Sequence, residues 1–188
     1  ASIVVSKFGA SVVYPDEIQE LIVGNSYQNT KLLTLEQAKK KAVFLRQQGK
    51  KIVFTNGCFD IVHAGHIASF KQTPSFGDVL FVGVNSDSSI KRIKGANRPV
   101  VDESNRIKLL EAVNCIDYLI LFEEDTPQKL IENIIPAVLV KGRDWAGKEV
   151  AGGKFVEQNG GKVCFIDLSR VCLQPILLIR YLKPIENR

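Results

Sequence analysis

Both histidines of this chain lie in one short stretch, His63-Ala64-Gly65-His66, directly after an apolar run and a turn. The run at residues 51–56 is typical of a strand, and the sequence from Ile61 onward is typical of a helix. The imidazoles are therefore predicted in the first turn of a helix that leaves the carboxyl end of a strand. Free backbone N–H groups and the helix dipole favour an anion at that position, so phosphate is the expected ligand.

The spacing of the two histidines suits a shared phosphate. Residues three apart lie on one face of a helix, so His63 and His66 can both donate an N–H to one phosphate. Gly65 leaves room for the ligand between them. A buried structural histidine pair is the alternative, but a glycine turn upstream and a glycine between the histidines favour the phosphate site.

The residues around these histidines resemble a known family. Gly57-Cys58-Phe59-Asp60, followed by the histidine stretch, resembles the GxFD…HxGH signature of the cytidylyltransferase-like nucleotidyltransferases. The resemblance continues with the motifs Val84-Asn85-Ser86-Asp87, Lys91-Arg92-Ile93-Lys94-Gly95, Arg98-Pro99, Glu123-Glu124-Asp125-Thr126-Pro127 and Val140-Lys141-Gly142-Arg143-Asp144. Over about residues 34–168, the set is similar to the adenylyltransferase domain of the bifunctional heptose-phosphate kinase/adenylyltransferases.

The resemblance implies an activity and a set of substrates. A domain of this kind would transfer an adenylyl group from ATP, with Mg²⁺, to a sugar 1-phosphate. The expected acceptor is D-glycero-β-D-manno-heptose 1-phosphate, and the expected products are pyrophosphate and the ADP-heptose used for lipopolysaccharide core synthesis. A cytidylyltransferase acting on a polyol phosphate stays open, because the residues do not identify the base.

The resemblance also implies roles for individual residues. His63, His66 and Lys94 are expected to be catalytic, and Asp60 and Arg106 are expected to bind the acceptor. The expected nucleotide-binding residues are Asn56, Gly57, Cys58, Phe59, Lys91, Lys141, Gly142, Asp144 and Arg170. No residue is assigned to a metal. Three of these binding roles have an alternative that stays open. Residues 91–94 could be an ordinary solvated charge run, Arg106 could form a surface salt bridge, and Asp60 could only hold the turn.

Composition and charge exclude several other classes of protein. The chain has 188 residues, of which 45% are hydrophobic, which is enough for one sizeable core. Its net charge of +5 is spread along the sequence without a basic run between aromatic residues, so small polyanionic substrates are favoured over nucleic acid. Four cysteines without CxxC spacing and two histidines predict a reduced, cytoplasmic protein without structural zinc. The apolar runs are too short to cross a bilayer, so no membrane partner is expected.

Strands and helices alternate after residue 33. Strands are predicted near residues 51–56, 79–85, 117–122, 137–141 and 162–166, and helices near 34–48, 63–73, 102–113, 126–134, 150–158 and after 171. Residues 34–37 resemble a capping box that opens the first helix, with Leu35, Ala38, Ala42 and Leu45 on its buried face. In the helix near 102–113, Leu109, Leu110 and Val113 are expected to face the core. This alternation predicts an α/β fold with a doubly wound parallel sheet, a Rossmann-like nucleotidyltransferase fold, in a single main domain. Ligands bind at the carboxyl ends of the strands in such sheets.

The two ends of the chain depart from this pattern. Residues 1–24 resemble the end of the ribokinase-like kinase domain that precedes the transferase in the bifunctional family, and they are expected to be a remnant of it. Residues 25–33 are then a linker, and residues 34–188 are the nucleotidyltransferase domain. A separate amino-terminal extension of a single-domain enzyme is the alternative.

The carboxyl-terminal segment differs from the family pattern. Relatives carry a Ser-Thr-Thr type motif after the last strand, whereas residues 169–177 contain no hydroxyl pair. A catalytically weak domain that binds nucleotide and serves in assembly therefore stays open. The family often dimerises through the part of the chain that matches residues 114–118, so a homodimer is expected.

Overall fold

The predicted alternation of strands and helices is present in the structure, a computed structural model that describes residues 30–166. Six parallel strands form one sheet within this part of the chain. The strands are β1 (Leu32–Leu33), β2 (Ile52–Gly57), β3 (Val79–Asn85), β4 (Tyr118–Phe122), β5 (Val138–Gly142) and β6 (Lys162–Ile166). The helices are α1 (Leu35–Gln47), α2 (Ala64–Gln72), α3 (Asp87–Lys94), α4 (Glu103–Glu111), α5 (Gln128–Ile134) and α6 (Gly153–Gln158). The α/β parallel-sheet fold is therefore confirmed.

The strand order creates a crevice beside β2. The order across the sheet is β1-β4-β3-β2-β5-β6, so the chain moves from β2 to β3 in one direction and later places β5 on the other side of β2. In an open α/β sheet, a ligand binds outside the carboxyl ends of the strands at such a switch point. The end of β2, where the histidine motif follows, is therefore the position that the topology favours for a ligand.

Both faces of the sheet are buried, which fixes the strands in register. Alternate residues of β2 point to opposite faces, because side chains alternate along a strand. Ile52 and Phe54 pack with α1, α5 and α6 on one face, whereas Val53 packs with Phe70 of α2 and Leu110 of α4 on the other. Burial on both sides explains why the strands are continuous apolar runs.

Helix α1 begins at the predicted capping box. The Thr34 hydroxyl accepts a hydrogen bond from the Gln37 amide at 3.2 Å, and the Gln37 side chain accepts one from the Thr34 amide at 2.8 Å. Of the predicted core residues, Ala38, Ala42 and Leu45 are buried and Leu35 is partly buried. The cap fixes the start of the helix, and the apolar stripe fixes which face covers the sheet.

Three details differ from the sequence-based expectations. The linker prediction for residues 25–33 is wrong for Leu32 and Leu33, which pair with β4 as strand β1. Helix α3 was not predicted, because this short segment has little apolar periodicity apart from the fully buried Ile90. Leu109 was expected in the core but is 52% exposed, because it lies about 200° around α4 from the buried Ile107.

Other expectations fall outside the described residues. They concern the kinase remnant at residues 1–24, the helix after residue 171, and the departure from the family pattern at residues 169–177.

Two glycines with the same φ angle provide a test of the packing between α5 and α6. Gly152 and Gly147 both have φ +80°. A Cβ on Gly152 would overlap the buried Ile131, whereas a Cβ on Gly147 would meet nothing within 4 Å. We expect Gly147→Ala to cost about 1 kcal/mol from backbone strain alone, and Gly152→Ala to cost about 1–3 kcal/mol more from overpacking. Urea unfolding of both variants measures the difference, and equal costs would show that Ile131 moves aside freely.

Candidate active site

The predicted catalytic residues line one cleft at the carboxyl ends of β2 and β3. The cleft has a volume of about 630 Å³. Its lining residues are Cys58, Phe59, Asp60, Ile61, His63, His66, Lys94 and Arg98. The structure thus brings His63, His66 and Lys94 together, as predicted from the sequence. Ile61 and Arg98 were not predicted as site residues.

Hydrogen bonds at the start of α2 fix the protonated nitrogen of each histidine. His63 is the N-cap residue, and its Nδ1 accepts a hydrogen bond from the Gly65 amide at 3.1 Å. The Nδ1 of His66 accepts a long one, 3.4 Å, from the His63 amide. A nitrogen that accepts a hydrogen bond carries no proton, so in each neutral ring the proton is on Nε2. Both rings can therefore donate an Nε2–H to a ligand.

The two imidazoles are stacked, and His66 is held in the neutral form. Their ring centroids are 4.0 Å apart, and the rings are inclined by 29°. Burial, followed by the charges of His63 and Lys94, lowers the pKa of His66 from 6.5 to about 4. At neutral pH His66 is therefore an uncharged hydrogen-bond donor. This form suits a cleft that also contains the cationic side chains of Lys94 and Arg98.

Phe59 forms the wall behind His66. Its φ of +48° is in the left-handed region, which is uncommon for residues other than glycine. Its ring packs edge-on against His66 at 5.3 Å and against Phe70 at 5.5 Å. A Cβ on Gly57 would lie 3.1 Å from this ring, so the close approach favours glycine there. Backbone strain at Phe59 is thus accompanied by contacts that orient a histidine.

Helix α3 brings Lys94 to the cleft and turns its other charges elsewhere. Ser86 caps the helix by accepting a hydrogen bond from the Ser89 amide at 3.2 Å. Lys94 is the last helical residue, and its charge acts on His66. Arg92 points away from the cleft and pairs with Asp125 at 2.8 Å. Lys91 is exposed and does not line the cleft, so its expected nucleotide contact stays a prediction.

Arg106 braces the site from beneath instead of contacting an acceptor as we expected. Its side chain on α4 is completely buried. The guanidinium donates hydrogen bonds to the carbonyl oxygens of Val101 (3.0 Å), Cys58 (2.7 Å) and Asn85 (2.8 Å). It also pairs with Asp87 at 2.7 Å. One side chain therefore joins the turn after β2, the end of β3, the start of α3 and the segment before α4.

Asp60 is also engaged by the protein itself. Its Oδ1 accepts hydrogen bonds from the amides of Val100 (2.6 Å) and Val101 (3.2 Å), and its Oδ2 pairs with Arg98 at 2.7 Å. Burial by itself would raise the pKa of Asp60, but the bonds from Val101, Arg98 and Val100 outweigh it and lower that pKa. The carboxylate is ionised and holds the segment before α4, whereas a direct acceptor contact was expected for Asp60.

On the other side of β2, the end of β5 carries a buried cation. The Lys141 ammonium donates a hydrogen bond to the side-chain oxygen of Asn56 and lies 5.4 Å from the centroid of the Trp145 ring. Burial lowers the pKa of Lys141 from 10.5 to about 8, although the charge of Asp144 opposes the shift. Lys141 and Asn56 thus meet in the crevice between β2 and β5. Gly142 and Asp144 follow there, and Arg170 lies outside the described residues.

Residues 30–166 contain no group of three or more histidine, cysteine or acidic side chains able to hold a metal ion. The cleft carboxylate of Asp60 already accepts hydrogen bonds from Arg98 and two amides. This finding does not test the expectation that no residue is assigned to a metal. None of the described helices combines the length and apolar character needed to cross a membrane.

Comparison with known proteins gives a consistent family. The Cytidylyltransferase-like family matches residues 54–155. The bifunctional protein HldE of Pectobacterium carotovorum is 45% identical over 172 residues, which are 92% of this chain and 36% of that protein. HldE of Geobacter metallireducens is 46% identical over 87% of this chain and 34% of that protein. The chain thus spans about a third of the length of these relatives.

Solved structures give the same fold. The lipopolysaccharide core biosynthesis protein from Thermoplasma volcanium is 30% identical with a TM-score of 0.53, covering 64% of this chain and 98% of that one. The pantoate-beta-alanine ligase of Francisella tularensis has the same TM-score of 0.53 at 16% identity, covering 77% of this chain and 68% of that one. This second likeness concerns the fold alone.

The four hydrogen-bond partners of Arg106 make a testable contribution to stability. We expect Arg106→Met to lower the free energy of unfolding by about 3–5 kcal/mol, because Asp87 and three carbonyl groups lose their donor. Arg106→Lys should recover little, since one ammonium cannot reproduce the planar guanidinium. Urea unfolding measures both variants, with Lys108→Met on the exposed face of the same helix as the control. A change like that of the control would contradict the bracing role.

The neutral state of His66 predicts a pH dependence of stability. The pKa of His66 is about 4 when folded against an ordinary value of 6.5, so the unfolded chain takes up the proton first. The stabilisation is complete above about pH 6.5 and is lost as the pH falls towards 4. We expect the urea midpoint of His66→Asn to fall less than that of the wild type between about pH 7 and 4.5. His63→Asn removes one charge that acts on His66 and should be intermediate. Equal falls in all three proteins would show that His66 is not the titrating group.

Proposed function

This chain belongs to the cytidylyltransferase-like family, and we propose that it transfers an adenylyl group from ATP to a sugar 1-phosphate. The proposed acceptor is D-glycero-β-D-manno-heptose 1-phosphate, and the products are ADP-heptose and pyrophosphate. Two findings support this choice over other members of the family. The motifs of this sequence resemble those of heptose-phosphate adenylyltransferase domains, and the chain is 30% identical to a lipopolysaccharide core biosynthesis protein.

The pair of Nε2–H donors at the start of α2 is the observation that carries the proposal. His63 and His66 have their Nδ1 atoms occupied by backbone amides, so both rings are oriented before a ligand arrives. Donors that are already oriented stabilise developing negative charge without reorganisation. Lys94 adds a positive charge beside them. This arrangement suits a phosphate that gains charge during a transfer reaction.

The proposed reaction needs alignment more than it needs a base. The second pKa of a phosphate is about 6, so the acceptor oxygen is already an anionic nucleophile at neutral pH. That oxygen attacks the α-phosphorus of ATP, the bond to the bridging oxygen of the β-phosphate breaks, and pyrophosphate leaves with that electron pair. No covalent enzyme intermediate forms. His63, His66 and Lys94 bind the transferring phosphate and stabilise its charge.

Magnesium is proposed as part of the nucleotide substrate. The described residues offer no ligand set for a resident ion. Asp60 is the one acidic side chain among them that lines the cleft, and it already accepts hydrogen bonds from Arg98 and two backbone amides. Mg²⁺ commonly binds through substrate phosphates and water. It would therefore arrive with ATP and neutralise charge on the triphosphate, and the protein side chains act on the resulting complex.

The nucleotide is proposed to lie over the ends of β2 and β5. The buried ammonium of Lys141, together with Asn56, Gly142 and Asp144, occupies the switch point of the sheet. A pKa of about 8 leaves Lys141 mostly protonated at neutral pH, so it can pair with an anionic group. Nucleotide contacts by Gly57, Cys58, Phe59, Lys91 and Arg170, a homodimer formed through residues 114–118, and a cytoplasmic location remain predictions.

A substrate screen tests the proposed function directly. Pyrophosphate release would be measured with each of the four nucleoside triphosphates against heptose 1-phosphate, other sugar 1-phosphates and glycerol 3-phosphate. We expect ATP with heptose 1-phosphate to give the highest kcat/KM. A preference for CTP and a polyol phosphate would establish the cytidylyltransferase alternative, and no turnover with any pair would leave a nucleotide-binding or assembly role.

Variants of the cleft test the roles of its donors. We expect His63→Ala and His66→Ala to lower kcat by about a hundredfold or more while the thermal midpoint changes little, because each ring contacts the transferring phosphate. Lys94→Ala should raise the KM for ATP and lower kcat together. The exposed Lys108→Ala on α4 is the control for loss of a lysine charge. Wild-type turnover in folded His66→Ala protein would refute the assignment.

A further inference from the structure

The cleft contains another cation, Arg98, to which the proposed reaction has so far given no role. Arg98 lies between α3 and α4 and lines the cleft with His63, His66 and Lys94. Its side chain is 33% exposed, so a ligand in the cleft can reach it. Arg98-Pro99 was one of the motifs that carry the family resemblance, but nothing in the sequence assigned this arginine a role in the site.

The segment that carries Arg98 is held on two sides. The side chain of Asp60 is only 6% exposed and pairs with the Nη1 of Arg98. It also accepts hydrogen bonds from the amides of Val100 and Val101. From below, the buried Arg106 donates to the Val101 carbonyl oxygen at 3.0 Å. These contacts fix the position of the Arg98 guanidinium before substrate binds. Such preorganisation reduces the cost of binding.

Most of the Arg98 guanidinium is still available for a ligand. Among residues 30–166, its side-chain hydrogen bonding consists of the single bond from Nη1 to Asp60. The planar guanidinium has five N–H donors arranged to bind two oxygens of one phosphate. A permanently charged fork of this kind recognises a phosphate dianion more specifically than a lysine does.

The sheet order indicates which phosphate Arg98 meets. Arg98 lies beyond β3 and α3 along the chain, and Lys141 lies near the end of β5. Strands β3 and β5 flank β2 on opposite sides. An in-line displacement places the attacking and leaving oxygens on opposite sides of the phosphorus. With the nucleotide over β2 and β5, the acceptor must approach from the β3 side. The charge of Lys94 contributes to the lowered pKa of His66, so Lys94 acts at the histidine pair. Arg98 is instead paired with Asp60.

We propose that Arg98 binds the phosphate group of the acceptor, a sugar 1-phosphate dianion, and that Asp60 is the positioning residue that orients its guanidinium. This inference rests on the proposed nucleotidyl transfer and adds to it the acceptor side of the site. It also gives the buried Asp60 carboxylate a function that requires neither a metal nor direct contact with the substrate.

Steady-state kinetics of matched arginine variants test the proposal. With ATP and heptose 1-phosphate, we expect Arg98→Ala to raise the KM of the acceptor by about ten- to a hundredfold, as for loss of a charge-assisted hydrogen bond. The KM of ATP should stay within about twofold of wild type, since Arg98 lies on the side of β2 opposite to the proposed nucleotide position. Arg98→Lys should recover only part of the loss, because it restores charge without the fork. Asp60→Asn should raise the same KM by a smaller factor.

Arg92→Ala is the control, because it also removes one arginine charge. Arg92 lies on α3 and pairs with Asp125 outside the cleft. It should leave both KM values unchanged. An increase in the KM of ATP as large as that of the acceptor in Arg98→Ala would overturn the proposal. A loss of kcat alone, or a lowered thermal midpoint with both KM values unchanged, would show that the Arg98–Asp60 pair is only structural.

A binding measurement separates this proposal from the proposed function. Isothermal titration of heptose 1-phosphate in the presence of α,β-methylene ATP needs no turnover, and Arg98→Ala should weaken it while Arg92→Ala does not. If wild-type protein turns over none of the acceptors, the proposed function fails. Inorganic phosphate, observed by phosphorus NMR, then serves as the probe for Arg98. Phosphate binding that is equal in wild type and Arg98→Ala would overturn the inference on Arg98.

Discussion

The site depends on the burial of one guanidinium. Arg106 lies under the cleft and donates to carbonyl oxygens that belong to three separate parts of the chain, at Cys58, Asn85 and Val101. A charged group without water is tolerated only when its hydrogen bonds are satisfied, so the surrounding backbone has little freedom to move. The turn that leads to the histidines and the segment that carries Arg98 are therefore positioned by the same side chain.

Backbone groups, more than side-chain charges, prepare the histidines. The amides of His63 and Gly65 at the start of α2 have no partner within the helix, and they donate to the imidazole Nδ1 atoms instead. This use of the helix end fixes the tautomer of each ring. The two rings therefore offer hydrogen bonds to an anion, and His66 does so without adding a positive charge near Lys94 at neutral pH.

Local patterns in the sequence were sufficient for most of the fold and for part of the site. The capping box at Thr34, the apolar strands and the HxGH motif involve neighbouring residues, so their structures could be predicted within a residue or two. The burial of Arg106 and the pairing of Arg98 with Asp60 could not be predicted, because they depend on distant parts of the chain: Cys58 is 48 residues from Arg106, and Asp60 is 38 residues from Arg98. Helix α3 was missed since its stability comes from a cap and one buried isoleucine.

Lys141 has a consequence for how this protein could be altered. Its ammonium is buried between β2 and β5, and the lowered pKa means that burial disfavours its charged form. Removing a costly buried charge often stabilises a fold, and stabilised active sites frequently lose activity. A selection for heat resistance alone would therefore favour an apolar residue at this position. A substitution of Lys141 that raises thermal stability would at the same time lower the proposed affinity for nucleotide.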